Sequence, residues 1–489
     1  MSVRHAITRL GLLLLVASAP LRAADVEEIR ERAIRAFAAD DFQAALDAYG
    51  ELDEDQRHDP FILYNMACAH AMLDQPEQAA ERLLDALSWG FVDLFHMERD
   101  AQLASLREGT TYRTILRGWN ELLQARADAD MQVLRARFED GYTFARDEAL
   151  RLSYASAFDE ATHADAIAQI EGVAGWVDET GIFALRDADP SMERQDPWVT
   201  VVLPTREDFI RLVPSARVGG FYERDRKRLV SQDVGPSLRH EFFHVLHWRH
   251  MDRIGQTHPL WIQEGLASLF EDVDGEPGDW TFTPSWRTNI VKRIDRTGRL
   301  YPWKTFFAMP DQRFMGVRPS ANYAYARTVF LFLASRGVLI PWYRTYIDGF
   351  DTDPSGLTAM ETVFDKPVRE IERDFRTWVR DLESVGEVGR PGEAGLGLQV
   401  GTGTGEGPVV TQVVAGSVRE SSPEGDDRLR HRDVITAIDG RTVRTLDDLY
   451  RVLGEYEVGD DVTVTVRRGD RRLDILVRLV PAEDDETFP

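Results

Sequence analysis

The spacing of hydrophobic and polar positions changes character along the chain. From residue 25 to about 125, small and apolar residues recur every three or four positions, the period of amphipathic helices. Superposing "AIRAFAADDFQAALDAY" on "ACAHAMLDQPEQAAERL" with a shift of 34 pairs Ala33 with Ala67, Asp40 with Asp74 and Ala45 with Ala79. Such a repeat predicts helix pairs whose backbones approach closely at the small residues. "GFVDLFHMERDAQLASLREGTTYRTIL" extends the helical region.

From about 130 to 385 the pattern mixes the two periods. "PWVTVVL" reads as a buried strand, and "GGFYERDRKRLVSQD" as a hairpin with a polar turn. The next stretch is helical, with Leu238, Phe242, Val245 and Leu246 as its apolar positions. Further helices end with "KPVREIERDFRTWVRDL". "VGEVGRPGEAG" has little to bury and reads as a linker. Beyond it come short strands, with one helix, "TLDDLYRVLGEY", before the last pair. The expectation is a multidomain α+β protein: an α-helical repeat region (25–128), a mixed α/β domain (129–385), a linker (386–394) and a β-rich domain (395–482).

At 489 residues the chain is too long for one core, and its formal charge of −25 argues against nucleic acid or an anionic membrane surface as a general partner. Arg4 and Arg9 precede the apolar run "LGLLLLVASA", and small residues follow near Ala23 and Ala24, so residues 1–24 have the layout of a secretory signal. The run is too short to span a bilayer stably, and no membrane span is expected after cleavage. The single cysteine, Cys68, lies in an apolar stretch and is expected to be a buried, inert thiol. A secreted chain without a disulfide fits a bacterial periplasm.

The candidate chemistry lies in "HEFFHVLHWRH", residues 240–250. On a helix, residues four apart share a face, so His240 and His244 can direct ring nitrogens at one ion. Glu241 sits about 100° round from His240, beside an open coordination position, where it can take a proton from water. One zinc ion suits this arrangement, since it acidifies water and polarises a carbonyl without redox chemistry.

After the histidine helix comes "PLWIQEGLASLFE", which places Glu264 twenty residues after His244. Together the two segments resemble the gluzincin metallopeptidases, with HExxH followed on a second helix by W-x-x-E-G-x-A; Trp261, Glu264, Gly265 and Ala267 all fit. The resemblance implies a zincin-like domain in which His240, His244 and Glu264 are metal ligands and Glu241 is the general base. It also implies an oxyanion-stabilising tyrosine on a later helix, for which "YAYARTVFLFL" offers Tyr323, with Tyr325 as its rival.

His250 is the rival third ligand, at the spacing found in metzincins. In a straight helix it would stand about 15 Å along the axis from His240 and be rotated about 280° net, out of reach. The glycine that lets metzincins turn is replaced here by His247, which disfavours positive φ. His247 is expected to hydrogen-bond or pack, and His258 to be solvated in a loop. Gluzincin aminopeptidases hold the substrate amine with Gly-x-x-Glu-Asn; this chain has Gly220 and Glu223 but Arg224 in place of Asn, which favours endopeptidase action.

The flanking regions carry resemblances of their own. A period of 34 is that of tetratricopeptide repeats, and the first region resembles two of them. The C-terminal strand order and the opening Gly395-Leu396-Gly397-Leu398 resemble a PDZ domain of the kind appended to bacterial proteases. That resemblance implies that these four residues capture a peptide C-terminus, although Arg432 precedes Asp433 where such domains usually have Gly-Asp. The expected function is zinc-dependent hydrolysis of protein or peptide substrates, with both modules recruiting substrates or partners. The alternative is a catalytically inactive periplasmic scaffold.

Overall fold

The computed structural model describes residues 23–481 apart from 53–56, 139–140, 186–193, 213–218, 384, 386–393, 402–406, 414–427, 445–448, 450–451, 454–455, 457–458 and 470. The expected signal segment falls outside these residues except for Ala23 and Ala24, which open the first helix, and the expected linker falls almost wholly outside them. Among the described residues no single helix is long and apolar enough to cross a membrane. Two compact units emerge: residues through 130 with 193–197, and the remainder.

The first unit is helical. Ala23–Ala38 and Phe42–Gly50 form one hairpin, and Pro60–Met72 and Pro76–Trp89 form a second, 34 residues on. Their turns match in detail. Asp40 and Asp74 take left-handed φ of 56° and 58°, and the next amides, of Asp41 and Gln75, donate to Ala36 O and His70 O, both at 2.9 Å. Asp and Asn tolerate this region better than most side chains. Ala33, Ala67, Ala45 and Ala79 are all fully buried, so the small residues sit where the helices meet. Asp100 accepts from Tyr64 Oη at 2.7 Å and Cys68 Sγ at 3.4 Å. Burial and that carboxylate push the Cys68 thiol well above its ordinary range, which leaves it unreactive.

The second unit begins with a five-stranded sheet in the order β1-β2-β3-β5-β4, formed by Thr143–Asp147 (β1), Leu152–Ser156 (β2), Val199–Leu203 (β3), Gly220–Glu223 (β4) and Arg228–Ser231 (β5). β2, β3 and β5 run parallel, while β1 and β4 pair antiparallel at the two edges. Every residue of β3 is buried, and all but Thr200 are apolar, as suits a central strand. One face of the sheet carries the helices Glu160–Thr180 and Pro236–Ile254, and the latter is the histidine helix.

The histidine helix starts and stops on local signals. Pro236 opens it, and the Asp233 carboxylate accepts from the Gly235 and Ser237 amides at 2.8 and 3.2 Å. Gly255 ends it in the left-handed conformation, φ 70°. Leu238, Phe242, Phe243 and Val245 are fully buried and fix which face looks away from the core. After it come the glutamate helix, Leu260–Ala267, and the tyrosine helix, Pro319–Ser335. A Cβ on Gly265 would stand 2.5 Å from the Phe330 ring, so glycine is what lets these two helices touch.

Residues 394–481 have their own core, built on Leu396, Val410, Ile435, Ile438, Val462, Val464 and Val466. Their strands run in the order Arg471–Arg478, Asp461–Arg468, Val434–Ile438, Val409–Val413, Leu398–Gly401, each antiparallel to the next. Gly395 to Leu398 lead into the last of these, and Gly397 has φ 65°. Most of the expected helix "TLDDLYRVLGEY" lies outside the described residues. Arg432 stands at φ 72°, a conformation that suits the usual glycine and strains an arginine. Asp433 is fully buried, held by Arg468 through two bonds of 2.7 Å and by the Arg430 amide at 2.8 Å. The whole is a multidomain α+β protein, helical at its start and β-rich at its end.

Candidate metal centre

The histidine helix and the glutamate helix bring three ligand atoms together. Nε2 of His240 and Nε2 of His244 are 3.0 Å apart, and Glu264 Oε2 lies 3.4 Å from the first and 3.5 Å from the second. Two atoms each about 2.0–2.1 Å from a tetrahedral zinc ion stand about 3.3 Å from one another. The triangle therefore fits zinc in both size and donor type. It is the one group of three or more such residues found among the described residues. Burial pushes the Glu264 carboxyl up, but His244 and His240 outweigh it and hold the group well below the usual carboxylate range.

Glu241 follows His240 on the same helix and faces the sheet edge. Burial raises its carboxyl above the ordinary range, opposed by the two histidines. A Cβ on Gly220 would lie 3.1 Å from Glu241 Cγ and 2.9 Å from the Val230 carbonyl oxygen, so the bare glycine is what lets β4 run beside this carboxylate. Tyr323 projects from the tyrosine helix beside Glu264 and Glu241; burial first, then these two carboxylates, raise its hydroxyl far above the ordinary range. Tyr325 does not reach the site, being buried with its hydroxyl on Tyr301 O at 2.9 Å.

Sequence reasoning missed a second layer. Glu271 Oε1 stands 2.7 Å from His240 Nδ1, and Arg287 pairs with the other oxygen of Glu271. The contact is close enough for an ion pair, but the ring N–H direction misses hydrogen-bond geometry, so Glu271 acts on His240 by charge and proximity, the kind of outer partner that orients a ligating imidazole. Two buried arginines shape the segment that carries it. Arg239 donates to Phe270 O and Glu271 O at 2.6 and 3.1 Å, and Arg327 donates to Ser268 O and Thr283 O, both at 2.8 Å. No local pattern marks Glu271: the glutamate helix ends at Ala267, and a separate 3-10 turn, Ser268–Glu271, carries it toward His240. Nothing local marks Arg287, which arrives from the helix Trp286–Arg296.

The remaining histidines turn away. The helix runs unbroken to Ile254, and His247 and His250 are buried against Phe183 and Tyr343. His258, expected to be solvated, is instead 1% exposed; its Nδ1 is 2.9 Å from His247 Nε2, and its ring packs on Tyr346 and Phe350. The loop folds back over the histidine helix, which local sequence does not reveal. Glu223 accepts from Arg228 Nε at 2.7 Å, while Arg224 reaches Asp252 at 2.6 Å and lies over the Trp248 ring. By strand alternation Glu223 shares a face with Phe221, which packs on the sheet side opposite the histidine helix.

The PDZ domain family model matches residues 394–479, and this region is a PDZ domain. Among curated proteins the chain is 41% identical over 68 residues to Protease Do-like 1, chloroplastic, of Arabidopsis thaliana, a stretch that is 14% of this chain and 16% of that protein. The chain thus spans about a sixth of that relative's length. Among solved structures it is similar to an aminopeptidase N family protein from Idiomarina loihiensis, at 13% identity and a TM-score of 0.29, over 70% of this chain and 67% of that one.

Proposed function

We propose that the protein is a secreted zinc metallopeptidase of the gluzincin kind, acting on protein or peptide substrates within the chain rather than at a free amino terminus. The observation that carries this reading is the triangle of His240, His244 and Glu264, flanked by Glu241 and Tyr323. Bound in the triangle, zinc would supply a Lewis acid that polarises a peptide carbonyl and brings the acidity of water near neutrality. Glu241 accepts the proton of the attacking water and passes it to the leaving amine. Its raised carboxyl suits a base working near neutral pH. Tyr323 keeps its proton and donates a hydrogen bond from its hydroxyl to the oxyanion as charge develops there. Glu271 and Arg287 hold the His240 ring in place.

β4 is an edge of the sheet, so its outer backbone groups can pair with an extended peptide, and Gly220 keeps that peptide close to Glu241. Glu223, occupied by Arg228 on the opposite face, offers no anchor for a substrate amine, which supports endopeptidase action. The PDZ domain and the tetratricopeptide-like hairpins recruit substrates or partners; the basic and apolar start of the chain argues for secretion, and a secreted chain with the single cysteine Cys68 fits a bacterial periplasm. Metal analysis of the purified chain, with cleavage of a mixed peptide library before and after chelation, tests the reading. A zinc-loaded chain that cleaves nothing would leave the scaffold alternative standing.

A further inference from the structure

An exposed apolar side chain stands beside the Tyr323 hydroxyl, and a second follows it two residues along the same turn. Met315 is 50% exposed and Val317 47%. Met315 Sδ lies 3.5 Å from Tyr323 Oη. Single exposed apolar residues are common and need no explanation. This pair differs because its turn is fastened in place. Phe314, between them and the core, is buried against Phe306 and Tyr323. The side-chain amide of Asn322, itself 2% exposed, donates to Phe314 O and Val317 O, both at 2.8 Å. Asn322 is the residue before Tyr323, so the clamp that shapes the turn is built into the helix that delivers the hydroxyl.

Resting on the peptidase reading above, we propose that Met315 and Val317 line the subsite for an apolar side chain flanking the scissile bond. The Met315 sulfur, 3.5 Å from the Tyr323 hydroxyl, is placed to meet a side chain beside a substrate carbonyl that receives that hydroxyl. An unbranched thioether adapts to apolar groups of different shape, so the subsite accepts Leu, Met and Phe rather than one of them alone. An apolar occupant covers Met315 and Val317 and removes their surface from water, whereas a charged one is desolvated without a partner.

The test uses zinc-loaded full-length protein and peptides blocked by acetyl and amide groups, so that chain ends play no part. Library products should show Leu, Met or Phe enriched at one position flanking the cut. Met315→Asp should lower the ratio of kcat/KM for the best such peptide over its glycine counterpart at least about tenfold, within the range for one apolar contact. Val317→Asp should act in the same direction, and zinc content should stay at the wild-type level in both. Chelator-sensitive cleavage with an unchanged ratio in both variants would overturn the subsite alone. No chelator-sensitive cleavage of any library member would overturn the peptidase reading and the subsite with it.

Discussion

His240 and His244 leave the histidine helix toward two carboxylates, whereas His247 and His250, further along the same helix, enter a layer of aromatic rings with His258. On the first side the rings face Glu264 and Glu271, with Glu241 beside them. On the second side burial keeps the imidazoles neutral: it drives His250 down to about 4 and His258 down to about 3, and it drives His247 well below its ordinary value with help from His258 and His250. The same side chain thus serves two ends, and the partner decides which. Imidazoles facing carboxylates are poised to bind a cation, and imidazoles among rings act as polar packing groups whose charged form is costly.

The contrast is most directly broken by exchanging its two sides. Glu264→Ala should release most of the zinc and abolish cleavage, because two histidines alone leave the site a ligand short. His250→Ala should leave both largely intact. Metal assays of the two purified variants decide the matter, and the reverse pattern would move the third ligand to the aromatic side.

Glu241→Gln probes the carboxylates without touching a ligand. Zinc should remain near stoichiometric while turnover falls at least ~100-fold, the lower range for a positioned acid–base group. Activity within a few-fold of wild type would remove Glu241 from the mechanism. A smaller effect is expected for Glu271→Gln, which keeps the shape of the side chain but weakens its hold on His240. Zinc affinity, measured by competition with a chelator, should drop about 10- to 100-fold, the usual range for such outer partners. An unchanged affinity would make Glu271 a partner of Arg287 only.

The aromatic side has a pH signature. His250 titrates near its ordinary value of 6.5 when unfolded and at about 4 when folded, so the unfolded chain binds more protons between those values. Stability is therefore complete above about pH 6.5 and is lost as pH falls toward 4. For His250 alone the loss is about 1 kcal/mol at pH 5.5, and His258 adds to it in the same direction. Urea unfolding of the chelated protein between pH 7.5 and 5 measures the slope, and His250→Phe should flatten it. A wild-type stability that does not change over this interval would show that the buried histidines take up protons without unfolding.

Much of this was legible locally. The 34-residue match of Ala33 with Ala67 and Asp40 with Asp74 specified two like hairpins, because a repeated unit that buries the same small faces must fold alike. The spacing of His240 and His244 specified a shared face, because helical geometry follows from the backbone alone. Leu238, Phe242 and Val245 specified which side of that helix meets the core. The missing glycine at His247 specified that the helix would continue, and it does, to Ile254.

What depended on distant chain was not legible. Glu271 acquires its place because Arg239 and Arg327 hold the carbonyls of Ser268, Phe270 and Glu271 while Arg287 pairs with its carboxylate, each arginine from a different element. Choosing Tyr323 over Tyr325 required knowing that Tyr301 and Phe306 receive the second ring. His258 reads as a loop residue before a proline, and only the return of that loop onto the histidine helix buries it. The physical reason is range. Backbone periodicity acts over one or two turns and is written in consecutive residues, whereas burial, charge partners and the direction of a hydroxyl are set by whichever segments the fold packs alongside.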